Sequence, residues 1–141
     1  MKRNASAEWN GGIRDGKGTI STDSGVLQQT QYSFGTRFEQ GVGTNPEELI
    51  AAAHAGCFSM ALSLQLGNAG FTVQSIQTKA AVDMSKGESG FAINSVHLDV
   101  AVLASGADQA AFEKAAEAAK TGCLVSRILN IPVTMSARLG G

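Results

Sequence analysis

The longest apolar segment of the chain follows directly on a helix start, within residues 44–66. Asn45 is a preferred N-cap residue, Pro46 suits the first helical position, and the carboxylate of Glu48 can reach back to the cap N–H. Apolar residues then surround nearly the whole predicted helix, which is typical of a helix buried on all sides. One face of it collects Leu49, Ala53, Gly56, Cys57, Met60 and Leu64. The sequence therefore predicts a buried central helix.

This helix approaches the length of a membrane span. However, it contains Glu47, Glu48 and His54, and ionisable side chains inside a bilayer are costly. The sequence shows no second apolar span, and the basic residues Lys2 and Arg3 are not followed by the apolar stretch of a secretory signal. We therefore expect a cytoplasmic protein that does not cross a membrane.

The composition favours one domain that associates with a second copy. The chain has 141 residues, which is the size of a single domain, here residues 1–141. Charged residues make up 16% of it, against about 25% in an average soluble domain, so surplus apolar surface is expected to be buried in a homo-oligomer. The net charge is −1 and no run of basic residues occurs, which argues against nucleic-acid binding.

The remaining segments predict an α+β fold in the order βββ-α-ββ-α-α-β. Alternating patterns and turn residues predict an N-terminal hairpin, a third strand over 32–38, a long hairpin formed by 71–84 and 91–104, and a closing strand over 131–139. Helices are predicted over 109–120 and 123–129, the first of them capped within Ser105-Gly106-Ala107-Asp108. No linker or internal repeat divides the chain.

Two cysteines, Cys57 and Cys123, are the residues with the most distinctive chemistry. In a reducing compartment, a redox-active role fits the two cysteines better than a permanent disulfide bridge does. A buried structural thiol is the simpler alternative for Cys57. A thiolate that attacks the O–O bond of a peroxide becomes a sulfenic acid, and a second thiol can condense with it to a disulfide. That chemistry requires a cation near the first thiolate.

Other readings of the same residues stay open at this point. His54 precedes Cys57 by three residues, so a Cys-His pair for thiol hydrolysis is conceivable, although a core or interface histidine fits better. A carrier of apolar ligands, or a stress protein with inert cysteines, is a non-enzymatic alternative. His97 and Asp99 fit the polar face of a strand better than a metal site, and the cysteine and histidine spacing does not favour structural zinc. We predict no metal and no cofactor.

Several motifs together resemble the osmotically inducible protein C (OsmC) family, which includes the organic hydroperoxide resistance proteins. They are Thr36-Arg37-Phe38-Glu39, Gly43-Thr44-Asn45-Pro46-Glu47-Glu48-Leu49, Ala52-Ala53-His54-Ala55-Gly56-Cys57-Phe58-Ser59-Met60-Ala61-Leu62 and Gly122-Cys123-x-Val125-Ser126. The resemblance covers nearly the whole chain. It implies an intertwined homodimer that reduces organic hydroperoxides to alcohols in oxidative and osmotic stress, with a dihydrolipoyl protein or small dithiol as reductant.

The resemblance also implies roles for four residues. Cys57 would be the peroxidatic thiol, Cys123 the resolving thiol with which it forms a disulfide, and Arg37 and Glu47 the polar partners of the site. Without the resemblance, Arg37 would be an exposed charge at a strand end and Glu47 a residue favoured by the helix dipole. Leu124 stands where many relatives have proline.

Ten residues separate Glu47 from Cys57, which is about 15 Å along a straight helix. We therefore expect each site to be shared between two chains, with Arg37 or Glu47 supplied by a partner. Arg37 would stabilise the Cys57 thiolate, and Glu47 would orient the guanidinium by a bidentate contact. An apolar collar that favours alkyl hydroperoxides could be formed by Phe34, Phe38, Phe58 and Met60.

Overall fold

The computed structural model describes residues 1–106 and 108–140 and confirms the α+β class. Within these residues the chain forms two three-stranded sheets and four helices. In chain order the elements are β1 (Ala5–Asn10), β2 (Lys17–Thr22), β3 (Thr30–Tyr32), α1 (Phe34–Phe38), α2 (Pro46–Asn68), β4 (Thr72–Gly87), β5 (Gly90–Ser105), α3 (Gln109–Gly122), α4 (Leu124–Ile128) and β6 (Val133–Gly140). They belong to two compact units, Met1–Leu49 and Ile50–Gly141. That residues 1–141 act as a single domain stays a prediction.

The first unit contains the antiparallel sheet β1-β2-β3, so the predicted N-terminal hairpin is confirmed. Gly18 pairs with Trp9 on one side and Tyr32 on the other. A Cβ atom at Gly18 would lie 2.4 Å from the ring of Tyr32 and 2.7 Å from that of Trp9. Glycine is therefore required here, because it lets the two aromatic rings approach to 5.5 Å between centroids.

The strand predicted over 32–38 is wrong, because only Tyr32 of these residues is in a strand and α1 follows. Ser33 caps the helix: its Oγ accepts from the N–H of Thr36, and Thr36 Oγ1 accepts from the N–H of Ser33. Phe34 and Phe38 then lie one turn apart with ring centroids 5.1 Å from each other. Arg37 accordingly lies in the last turn of a helix rather than at the end of a strand.

The predicted start of α2 is confirmed, but the carboxylate of Glu48 has a different hydrogen-bond partner from the predicted one. The side-chain oxygen of Asn45 accepts from the N–H of Glu48 at 2.7 Å, as an N-cap does. The carboxylate of Glu48 accepts a hydrogen bond of 2.9 Å from the hydroxyl of Thr44, and not from the cap N–H as predicted. The helix ends at Asn68.

The expectation that α2 is buried on all sides is wrong for this chain. One face is fully buried at intervals of four residues, formed by His54, Phe58, Leu62 and Leu66. On another face Met60 is 78% exposed and Leu64 is 62% exposed. By length and composition alone, α2 is long and apolar enough to cross a membrane, which is weak evidence because the core helix of a soluble protein passes the same test.

The second unit is built around the sheet β4-β5-β6, in which β4 and β5 form the predicted long hairpin. β6 pairs with β5 in parallel, which the crossover through α3 and α4 makes possible. Asp108 caps α3 as predicted, through a bond of 2.8 Å from the N–H of Ala111, while Ala107 of the predicted cap segment lies outside the described residues. The core combines one face of β5 with α2 and α3, and includes Phe58, Leu62, Leu66, Val96, Leu98, Val100, Phe112, Ala116, Ala119 and Cys123.

Candidate active site

Arg37 and Glu47 form an ion pair inside the first unit. The last turn of α1 presents Arg37 and the first turn of α2 presents Glu47. Nε of the guanidinium donates to the carboxylate oxygen Glu47 Oε1 at 2.9 Å, and Nη2 forms an ion pair with the same oxygen, also at 2.9 Å. The contact therefore involves two nitrogens but only one oxygen, so the predicted bidentate contact is not formed with both oxygens. Glu47 Oε2 is buried and has no hydrogen-bond partner among the described residues.

Arg37 also lines an apolar cleft of about 210 Å³ in the first unit. Its Cζ lies 5.1 Å from the centre of the Phe38 ring, a cation–π distance. The side chain of Arg37 remains 43% exposed, whereas that of Glu47 is 9% exposed. The other residues that line the cleft are Trp9, Ile13, Tyr32, Ser33, Phe34 and Phe38. A positive, hydrogen-bonding group thus lies at the wall of an aromatic cleft.

Both cysteines lie in the second unit and both are free thiols. Cys57 is half-buried on α2 and packs against the hydrophobic core that includes Cys123. Cys123 is only 2% exposed and occupies the N-cap position of α4, where its Sγ accepts from the N–H of Ser126 at 3.3 Å. The two thiols therefore differ in access: the first can be reached from solvent and the second is held inside the core.

The half-buried Ser126 links Cys123 to the fully buried His54. Ser126 Oγ lies 3.2 Å from Cys123 Sγ, which donates to it, and 2.7 Å from His54 Nε2. Burial without a compensating charge lowers the pKa of His54 below its ordinary value of 6.5, so that the imidazole is neutral near pH 7. His54 Nδ1 is buried and has no hydrogen-bond partner in the part of the chain that the structure describes.

Comparison with known proteins supports the resemblance noted in the sequence. Residues 39–137 match the family model described as OsmC-like protein. The peroxiredoxin OsmC of Escherichia coli is 52% identical over 139 residues, which cover 99% of this chain and 97% of that relative. The chain belongs to the OsmC family. The name of the Escherichia coli relative agrees with the predicted class of enzyme, a peroxidase among the oxidoreductases.

Solved structures place the fold in the same family. An OsmC-like protein of unknown function from Vibrio cholerae matches with a TM-score of 0.76 at 18% identity, covering 98% of this chain and 99% of that one. The organic hydroperoxide resistance protein OhrB of Bacillus subtilis matches with a TM-score of 0.68 at 25% identity, covering 96% and 98% of the two chains. The predicted OsmC-like fold is therefore confirmed.

Of the four site residues that the OsmC resemblance implied, the structure brings Arg37 and Glu47 into direct contact and places the two cysteines in the other unit. Of the four residues of the predicted apolar collar, Phe34 and Phe38 line the cleft beside Arg37. Phe58 is fully buried in the core, and Met60 lies on the exposed face of α2.

Sequence reasoning missed Ser126 as a residue of chemical interest, although it stands in the Cys123 motif. Three residues separate Ser126 from Cys123, which is the N-cap spacing, so its contact with that sulfur has a local signal. Its contact with His54 has no local sequence signal, because the two residues are 72 positions apart. The same contact argues against a Cys-His hydrolase, since His54 Nε2 is engaged by Ser126 and Nδ1 contacts no donor or acceptor among the described residues.

Proposed function

We propose that this OsmC-family protein is a thiol peroxidase that reduces organic hydroperoxides to alcohols, using Cys57 as the peroxidatic thiol and Cys123 as the resolving thiol. The observation that carries the proposal is the unequal burial of two free thiols in one compact unit. A peroxidatic thiolate must meet its substrate, and Cys57 is half-buried; a resolving thiol needs only to meet Cys57, and Cys123 is in the core.

The first step consumes one hydroperoxide. The Cys57 thiolate attacks the distal oxygen of the substrate, so that an S–O bond forms and the O–O bond breaks. The alkoxide leaves and takes up a proton to become the alcohol, while Cys57 becomes a sulfenic acid. In the second step Cys123 attacks that sulfur, the S–O bond breaks, water leaves and a Cys57–Cys123 disulfide forms. A dihydrolipoyl protein or a small dithiol then reduces the disulfide and restores both thiols.

The cleft beside Arg37 has the chemistry to hold such a substrate. Its aromatic walls suit the organic group, and a guanidinium has five N–H donors, of which Nε–H is the one that bonds to Glu47. The remaining donors can hold the peroxide oxygens and stabilise charge on the leaving alkoxide. A hydroperoxide also has one O–H group to donate, and Glu47 Oε2 is a buried acceptor without a donor among residues 1–106 and 108–140. The apolar walls favour an organic hydroperoxide over hydrogen peroxide, which offers no apolar group to the cleft.

We further propose that the protein is a cytoplasmic homodimer whose sites combine residues of two chains. Met60 and Leu64 expose an apolar face on α2, and burial against a second copy would remove this surface from water. Since ten residues of helix separate Glu47 from Cys57, the proposed site takes its ion pair from one chain and its thiols from the other. The physiological role would be defence against oxidative and osmotic stress.

The test is turnover with reduced lipoamide, comparing cumene hydroperoxide with hydrogen peroxide in the native chain, Cys57→Ser and Cys123→Ser. We expect faster reduction of the organic substrate, no activity in Cys57→Ser, and a Cys123→Ser variant that stalls or is overoxidised after its first cycle. Ser59→Ala is the matched control, because it removes a half-buried hydroxyl from the same helix, α2, and leaves both thiols in place. Absence of turnover with any dithiol, in a folded protein, would reject the peroxidase and favour an apolar-ligand carrier.

A further inference from the structure

His54 is a fully buried ionisable residue that the proposed peroxidase mechanism does not use. It lies on the buried face of α2 and contacts Ser126 of α4, which in turn contacts Cys123. Three groups that can exchange protons, a thiol, a hydroxyl and an imidazole, therefore follow one another at 3.2 Å and 2.7 Å. These are hydrogen-bond distances for sulfur and oxygen donors.

The available hydrogens favour one direction for this chain of bonds. The Cys123 thiol donates to Ser126 Oγ, so the serine hydroxyl has its own hydrogen left to donate. Donation to His54 Nε2 satisfies that hydrogen and, of these groups, leaves Nδ1–H without a partner among the described residues. The reverse arrangement, in which Nε2–H donates to the serine, would leave both the serine hydrogen and the Nδ1 lone pair unpaired. Ser126 is half-buried and His54 Nδ1 is buried in either case, so the first arrangement is favoured because it leaves fewer groups unpaired.

We propose that Ser126 and His54 form a proton relay that activates Cys123 for the resolving step, with His54 acting as the positioning residue and terminal base. The inference rests on the proposed two-cysteine peroxidase and adds to it the residues that prepare the second thiol. A core thiol has no bulk water to take its proton, so a built-in acceptor is needed before it can attack as a thiolate.

The relay moves two protons along the three groups. Cys123 S–H transfers its proton to Ser126 Oγ while the serine proton moves to His54 Nε2, which gives a thiolate and an imidazolium. The N–H of Ser126, 3.3 Å from Cys123 Sγ, stabilises the new negative charge. The thiolate then attacks the sulfur of the Cys57 sulfenic acid, the S–S bond forms, and the S–O bond breaks. The departing hydroxide takes up one proton, so that water leaves and the imidazole becomes neutral again.

The experiment separates the two steps in single turnover with one equivalent of cumene hydroperoxide. Cumyl alcohol measures the first step, and loss of dimedone-reactive sulfenic acid together with disulfide formation measures the second. We expect Ser126→Ala and His54→Gln to leave the first rate within about twofold and to slow the second about 100-fold, the usual effect of losing a general base. Ser126→Thr, which keeps a hydroxyl, should restore the second rate, and Ser59→Ala should change neither.

Two results of the single-turnover experiment would overturn the relay. A second step at the native rate in Ser126→Ala would show that the hydroxyl is not needed, and an equal loss in both steps would show a merely structural role. If the native protein makes no alcohol, the peroxidase proposal fails instead, and the relay is judged by long-range ¹H–¹⁵N NMR of the native reduced protein. An unprotonated Nε2 and a protonated Nδ1 on His54 support it, whereas a protonated Nε2 rejects it. The His97→Gln variant assigns the signals, because the chain has two histidines.

Discussion

At the scale of single residues, the ion pair of Arg37 and Glu47 combines charge with a fixed geometry. Nε and Nη2, which both lie 2.9 Å from Glu47 Oε1, belong to one edge of the guanidinium, and an ammonium group has no such edge. The other N–H groups of the guanidinium are those that the proposed substrate would contact in the cleft. This arrangement explains why an arginine, and not simply a positive charge, fits the position.

Arg37→Lys should therefore impair the proposed peroxidase although it keeps the charge. Loss of one charge-assisted hydrogen bond is worth about 1.5–3 kcal/mol, so we expect the kcat/KM for cumene hydroperoxide to fall roughly 10- to 100-fold. Steady-state assays with reduced lipoamide measure the effect. Arg138→Lys is the matched control, because that arginine pairs with Asp99 across the sheet of the second unit. An unchanged rate in Arg37→Lys would place the peroxide elsewhere.

The buried imidazole of His54 makes stability depend on pH. Its pKa is below the ordinary value of 6.5 because burial disfavours the charged form. As the pH falls below about 6.5, the unfolded chain binds a proton that the folded chain does not, so the free energy of unfolding decreases. We expect urea denaturation between pH 7.5 and 5.5 to show this decrease, and a smaller one in His54→Gln. The native slope in His54→Gln would contradict the assignment.

At the scale of elements, the start of α2 depends on Asn45 in two ways. Its side-chain oxygen caps the helix at the N–H of Glu48, and its amide nitrogen donates to the carbonyl of Thr36 in α1 at 2.9 Å. One side chain thus ties two helices of the first unit together, and it does so next to the residues that present Arg37 and Glu47.

Asn45→Ala should lower the free energy of unfolding by about 0.5–2 kcal/mol, because the first turn of α2 loses its cap. Asn45→Asp keeps the acceptor for Glu48 and loses only the bond to Thr36, so a smaller loss is expected. Urea denaturation at pH 7 measures both variants. Equal losses would mean that the bond to Thr36, rather than the cap, carries the stabilisation.

At the scale of the whole molecule, several large apolar side chains remain exposed outside the core of the chain. Leu62 and Leu64 illustrate this on one helix, since Leu62 is completely buried and Leu64 is 62% exposed. On α4, Leu124 and Ile128 are exposed as well. A second copy of the chain is the occupant that the proposed homodimer assigns to this surface.

Leu64→Glu should dissociate that dimer. Burial of a leucine contributes about 1.5–3 kcal/mol to the free energy of association, and the variant would desolvate a carboxylate in its place. We therefore expect the dissociation constant of the dimer to rise at least 100-fold. Sedimentation equilibrium over a range of protein concentrations measures the change. Val26→Glu, at an exposed apolar position in a turn of the first unit, is the control. A native protein that is monomeric at tens of micromolar, or fully active as a monomer, would contradict the shared site.

Local signals in the sequence were sufficient for most of the fold. Caps and turn residues predicted α2, α3 and the β4–β5 hairpin, because each depends on neighbours a few residues away. The strand predicted over 32–38 failed because aromatic residues separated by small ones fit two periods, and the capping box of Ser33 and Thr36 selects the helical one.

The sequence by itself determined most of the elements, though not α1, and, through its resemblance to the OsmC family, which four residues to examine. Only the tertiary structure decided which face of α2 is buried, because burial depends on the sheet that covers the helix. It also decided the partner of His54, a serine 72 residues away, since no periodicity links the two. Contacts between distant segments arise from packing, and packing is a property of the folded chain.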